Sequence, residues 1–293
     1  MRNFVAVILV FFACIDSAAT AQKALEIGPT TFKDGVPILI DSQGPYLFGL
    51  DTGASTAVYI NPSLAAKLAL PVVSHTHIHT SSDEVPGSAP QVDVLRIDDL
   101  AVAGHLFHHA IGVAYSTAEN GTLGIGLFKD VLLTLDFPND HLSISEDQLP
   151  VADGKTIFPY VQDHTIPVVP VTLGDMQVQA RLDTGARKTE ADVMIPLSMA
   201  TQLHFVTPMQ EAGTVQDAVG RNYKRYSAIL EGDLTIGTLV VHHPTLLVSD
   251  FLPYVNLGGL CNRLRIQLDQ SHGLIGISLS EKISSASATN RLK

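Results

Sequence analysis

The chain has 293 residues, 46% hydrophobic and 16% charged, with 22 Gly and 16 Pro, a balance that excludes a disordered or collagen-like protein and predicts a globular one. Its 18 Lys and Arg against 29 Asp and Glu give a formal charge of −11, which argues against nucleic acid as a partner, since such binding neutralises phosphates with basic side chains. The acidity is uneven: residues 22–150 carry net −10 and residues 151–293 net −1, so a cleft between the halves would have one acidic wall.

Residues 1–21 read as a signal peptide, with Arg2 as a positive start, an apolar stretch from Phe4 to Ala13, and the small-x-small pattern Ala19-Thr20-Ala21. At 1.5 Å per residue that stretch falls far short of a hydrocarbon core of roughly 30 Å, so no membrane span is expected. The implied location is exported, periplasmic or extracellular, with a lipoprotein through Cys14 the lesser alternative. Loss of Cys14 would leave Cys261 alone. An intramolecular disulfide is then impossible, and Cys261 reads as a small buried hydrophobe.

The first element is a hairpin, Val36 to Ile40, a turn over Ser42-Gln43-Gly44-Pro45, and Tyr46 to Leu50 leading into Asp51-Thr52-Gly53-Ala54. A short strand and a helix start at Asn61-Pro62 follow, since proline is tolerated in the first helical turn. His75, His77 and His79 then alternate with period two, which on a strand puts all three imidazoles on one face. The choice there is between an exposed polar strand and a metal site, and no metal is assigned because no fixed-spacing ligand completes a shell. Next come His108-His109 and Leu123-Gly124-Ile125-Gly126, then an apolar run ending at Leu135-Asp136.

A hinge is expected near Glu146 to Lys155, where Asp, Pro and Gly interrupt the apolar pattern. Beyond it the series repeats. Ile166 to Leu173, a Gly174-Asp175 turn and Met176 to Leu182 lead into Asp183-Thr184-Gly185-Ala186, 132 residues after the first copy. A helix start at Pro196, the pair His242-His243, and Leu257-Gly258-Gly259-Leu260 running to Leu268-Asp269 complete the second series. The expected organisation is a first lobe over residues 22–150, a second over 151–280 and a flexible tail over 281–293. Short strands between turn residues make each lobe mainly β, a barrel or sandwich.

A carboxylate on a tight Thr-Gly loop, supplied once by each of two pseudo-symmetric lobes, brings Asp51 and Asp183 together across an approximate two-fold axis. Carboxylates about 3 Å apart cannot both ionise and hold one proton between them. The ionised member can activate a water and the protonated member can donate to a carbonyl oxygen, which suffices for peptide hydrolysis.

These two Asp-Thr-Gly-Ala elements resemble the aspartic proteases, closest to the retropepsin-like branch. The resemblance spans roughly residues 36–278 and implies two acid-protease-like β-barrel lobes around a central cleft. It implies Asp51 and Asp183 as the catalytic acids, Thr52 and Thr184 interlocked beneath them, and Gly53 and Gly185 shaping the loops. It also matches Thr122-Leu123-Gly124 to the family's apolar-apolar-Gly element. The second half departs from the first in placing Gly258 one residue nearer its following aspartate, and in carrying Arg187-Lys188 where the first has Ser55-Thr56. The implied partner is a peptide or protein substrate bound by a monomer without cofactor. A peptide-binding module that keeps the fold without hydrolysis is the alternative. By position the His75–His79 stretch matches a substrate-covering flap, and Ala218 to Tyr223 a second one, with Tyr223 either closing over substrate or packing simply.

Overall fold

The computed structural model describes residues 30–31, 35–54, 56–78, 90–115, 120–163, 166–186, 191–216, 222–251 and 253–280. The expected signal peptide over residues 1–21, the expected tail over 281–293, His79, Arg187 and Lys188 lie outside them, as do residues 217–221 of the expected second flap segment.

The first half supplies β1 (Val36–Ile40), β2 (Gln43–Asp51), β3 (Val58–Ile60), β4 (Val72–His77), β5 (Gln91–Val102), β6 (His105–Ala114) and β7 (Gly121–Gly124). Hydrogen-bonded order runs β1-β2-β7-β3-β6-β5, and β5 returns to β1, so six strands close a barrel with β4 appended to β5. Closure follows from side-chain alternation: Val36, Ile38 and Ile40 point inward and are fully buried, while the residues between them are not. The β1–β2 turn falls on Asp41-Ser42, earlier than the Gly-Pro pair suggests, because both residues adopt positive φ, 48° and 64°, as a two-residue hairpin turn requires. Helix α1 (Pro62–Lys67) starts where expected, with the Asn61 side chain accepting from the Ser63 amide at 3.0 Å.

Two further strands leave the barrel, β8 (Leu132–Asp136) and β9 (His141–Ser145). The second half continues with β10 (Ile157–Pro159), β11 (Val161–Asp163), β12 (Ile166–Leu173), β13 (Met176–Arg181), β14 (Val193–Ile195), the short helix α2 (Leu197–Ala200), β15 (Gln210–Gln216), β16 (Asn222–Ile229), β17 (Asp233–Ile236), β18 (Leu239–His242), β19 (Thr245–Val248), β20 (Val255–Asn256), β21 (Leu264–Asp269) and β22 (Leu274–Leu279). The single long β5–β6 hairpin of the first half is here cut into two short pairs, β17–β18 and β16–β19. Pro244, which has no amide hydrogen, interrupts one strand, and Leu230–Gly232 interrupts the other.

The halves are joined by a five-stranded sheet in the order β10-β22-β21-β8-β9, with Leu133 opposite Leu268 and Leu135 opposite Ile266. These four side chains are essentially inaccessible to water, each worth about 1.5–3 kcal/mol of burial. One continuous apolar core runs through both halves and includes Cys261. The buried Asp269 carboxylate accepts the Leu149 amide at 2.9 Å and so fastens the connecting segment to this sheet.

Candidate active site

In each half, the aspartate loop joins two strands, β2 to β3 and β13 to β14, and a short third strand lies between them. Strand β7 runs parallel to β2 and antiparallel to β3, with Asp51 opposite Gly124. Strand β20 runs parallel to β13 and antiparallel to β14. Closeness of backbone dictates the glycines here. A Cβ on Gly124 would stand 2.0 Å from the Thr56 carbonyl oxygen, and one on Gly258 would stand 2.6 Å from both the Asp183 carbonyl oxygen and the Ala186 Cβ. Gly258 thus takes the place in the second half that Gly124 takes in the first, whatever the one-residue difference in spacing.

The two loops meet. The Thr52 amide donates to Thr184 Oγ1 at 3.0 Å and the Thr184 amide to Thr52 Oγ1 at 3.0 Å. Each hydroxyl then donates across to the other loop, Thr52 to the Leu182 carbonyl and Thr184 to the Leu50 carbonyl at 3.3 Å. Both threonines are almost fully buried, where an unpaired amide or carbonyl would cost about 1–3 kcal/mol, so the interlock fixes the loops against one another.

Above it stand the carboxylates. Asp51 Oδ1 accepts the Gly53 amide at 2.7 Å and the Gly185 amide at 3.2 Å, and the same Gly185 amide reaches Asp183 Oδ1 at 3.0 Å. One N–H from the second loop therefore touches both acids. A Cβ on Gly53 would lie 2.7 Å from Asp183 Oδ1, and one on Gly185 2.7 Å from Asp51 Oδ2. Each loop's glycine leaves room for the opposing half's carboxylate. Burial, joined by the charge of Asp183 and a hydrogen bond to it, raises the Asp51 pKa from 3.8 to about 6, against the lowering effect of the two amides.

Asn256 is absent from the sequence-based site and belongs in it. Fully buried, it donates from Nδ2 to Asp183 Oδ2 at 3.1 Å. Its amide orientation is fixed because Oδ1 accepts the Gly258 N–H at 2.7 Å. Its one available signal was its position immediately before Leu257-Gly258, two residues from the glycine that packs on the active loop.

A cavity of about 370 Å³ opens from the two aspartates into the second half, lined by Met194, Val215, Arg225, Leu247, Phe251 and Tyr254 among others. Tyr223 meets Phe251 of that lining edge-on, with ring centres 5.7 Å apart. The larger cavity of about 750 Å³, under the β6 histidines, includes neither aspartate. His75 bonds the Asp93 carboxylate on the adjacent strand at 2.9 Å, and the described residues contain no group of three His, Cys, Asp or Glu side chains able to hold a metal.

A closed β-barrel and a second sheet-rich lobe, each presenting one aspartate at a shared junction, define a bilobal acid-protease architecture in one chain. The family model of aspartyl proteases matches residues 36–137 and again residues 169–279, and the chain belongs to that family. No curated protein matches it in sequence. Among the described residues no helix is long and apolar enough to cross a membrane.

Proposed function

We propose that the protein is an exported aspartic endopeptidase in which Asp51 and Asp183 act as the catalytic pair. One observation carries the reading: a single amide, that of Gly185, hydrogen-bonds both carboxylates, while Asp51 has its pKa raised to about 6 by burial and by its neighbour. Such a pair retains one proton over the mildly acidic range.

Asp51 holds that proton. Asp183, given a further donor by Asn256, is the ionised member and takes a proton from a water held between the two. Asp51 donates to the carbonyl oxygen of the scissile peptide as the water attacks its carbon, and a gem-diol forms without a covalent enzyme intermediate. Asp183 passes the proton it took from water to the departing amine while a gem-diol hydroxyl returns one to Asp51, which completes cleavage and restores the pair. Thr52 and Thr184 hold the loops, and Gly53 and Gly185 let the acids approach. Both acids come from one chain, so the active form is a monomer. The apolar run at residues 4–13 and the Ala19-Thr20-Ala21 site support export.

The test is hydrolysis of a mixed peptide library by the purified chain over a pH series. Asp51→Asn and Asp183→Asn are each expected to abolish cleavage while the chain stays folded, and a statine-type transition-state mimic to inhibit it. Undiminished cleavage by either variant would refute the assignment.

A further inference from the structure

Among the described residues, one buried side-chain nitrogen or oxygen lacks a hydrogen-bond partner, and it is Arg225 Nε. Arg225 lines the same cavity as Asp51 and Asp183. Lys224 beside it bonds Glu211 at 3.4 Å on the exposed face of β16, and strand alternation sends Arg225 to the other face. There its guanidinium makes one long bond, from Nη2 to the Ala212 carbonyl at 3.4 Å. The facing strand bulges between Glu211 and Thr214, with Gly213 at φ +92°, so the group has room.

Buried polar nitrogens are nearly always paired, so an unpaired one in a cleft asks for a ligand. The chemistry is specific. A guanidinium offers five donors in a planar fork matched to a carboxylate. It shares the cavity with Ser249 and the two aspartates and with the apolar Met194, Val215, Leu247 and Phe251, the last of which strengthen a charge pair formed among them. Symmetry gives a second argument. Leu95 pairs with Gly112 in the first half as Ala228 pairs with Leu246 in the second, and Gly112 and Leu246 face Val58 and Val193, equivalent strand positions. Three residues earlier on the two strands stand Val92 and Arg225. Val92 packs in a small apolar cluster with Tyr59 and Val113. The cation is therefore a feature of the second half alone and not a requirement of the fold.

We propose that Arg225 makes this cavity a subsite for a substrate carboxylate next to the scissile bond. The place of the carboxylate beside a scissile bond rests on the protease reading, whereas carboxylate binding by the pocket does not. A carboxylate can come from an Asp or Glu side chain or from a chain terminus, and a cavity near the lower end of the 300–1,000 Å³ range of ligand sites has room for one or two side chains of an extended peptide.

Two random octapeptide libraries, one C-terminally amidated and one with free termini, separate the sources. The native chain is incubated with each and cleavage sites are read by mass spectrometry. In parallel each library is passed over the immobilised Asp51→Asn chain and retained peptides are sequenced. The expected result is enrichment of Glu and Asp over Gln and Asn, about tenfold or more, at one position next to the cleaved bond and equally among retained amidated peptides. Arg225→Met should bring that ratio to about one, and Arg225→Lys to a value between. Cleavage and retention confined to free-terminus peptides, with Glu and Gln used alike, would assign the carboxylate to the chain end and still support the subsite. Retention with carboxylate selection but no cleavage by the native chain would keep the subsite and overturn the protease reading. Equal use of Glu and Gln by the native chain with amidated and free-terminus peptides cleaved and retained alike, or selectivity that survives both Arg225 variants, would overturn the subsite.

Discussion

Replacing Asp51 with Asn should stabilise the folded chain at neutral pH while removing catalysis. The carboxyl at this position has a pKa raised from 3.8 to about 6, so between those values the folded state keeps a proton that the unfolded state releases. Stability therefore falls as pH rises through that window. At about 1.4 kcal/mol per pKa unit the accumulated loss is about 3 kcal/mol by pH 7. Asn, which has no charge to bury and none to set against Asp183, escapes it. Thermal unfolding at pH 7 should show the variant melting about 5–10 °C above the native chain, and at pH 3.5, where the carboxyl is largely protonated in both states, the two should nearly coincide. A variant no more stable than the native chain at pH 7 would mean that burial and Asp183 do not oppose ionisation at position 51. An equal gain at pH 3.5 would trace the effect to something other than a proton.

Asn256→Ala deprives ionised Asp183 of a hydrogen bond of the charge-assisted kind, worth about 1.5–3 kcal/mol. kcat/KM should fall about 10- to 100-fold with the circular dichroism spectrum retained; undiminished kcat/KM would exclude Asn256 from positioning the pair. Gly185→Ala puts a Cβ 2.7 Å from Asp51 Oδ2. Displacing the acids by the needed fraction of an ångström should lower kcat at least about 100-fold with the circular dichroism spectrum retained, and full activity would refute the close approach.

The repeated Leu-Asp-Thr-Gly-Ala was legible because both copies sit under the same constraint, a strand end that must turn beneath an opposing carboxylate. Hairpin limits at Ile166–Leu173 and the helix start at Asn61-Pro62 were legible for a similar reason, since turn and cap chemistry is local. What distinguishes the halves was not. Asn256 stands opposite Arg181 in its strand pair where the first half sets Thr122 opposite Gly49, so a search for repetition passes over it. Arg225 reads as one more basic residue in a strand until the fold turns it into the cleft. Asp93 lies far from His75 in the chain and next to it across β4–β5, a contact that periodicity cannot reveal. The divided hairpin of the second half, by contrast, was foreshadowed by Pro244, whose missing donor forbids a continuous ladder.

Duplication followed by divergence would also account for how the proposed pair assigns its proton. Two identical loops related by a two-fold axis would give each carboxylate the same donors, and the shared proton would have no preferred owner. Here the scaffold stays nearly symmetric, with Thr52 and Thr184 exchanging equal bonds of 3.0 Å, and the asymmetry enters one layer out. Asp183 accepts the Asn256 side chain and the Gly185 amide, and Asp51 accepts the Gly53 and Gly185 amides. With two donors on each, the proton is biased toward Asp51 by burial and by the charge of Asp183, which raise the Asp51 pKa to about 6. The same half carries Arg225 where its counterpart carries Val92. Two copies in one polypeptide can thus give one lobe the proton-holding acid and the other the anion and a cationic pocket, a division that two identical subunits could not make.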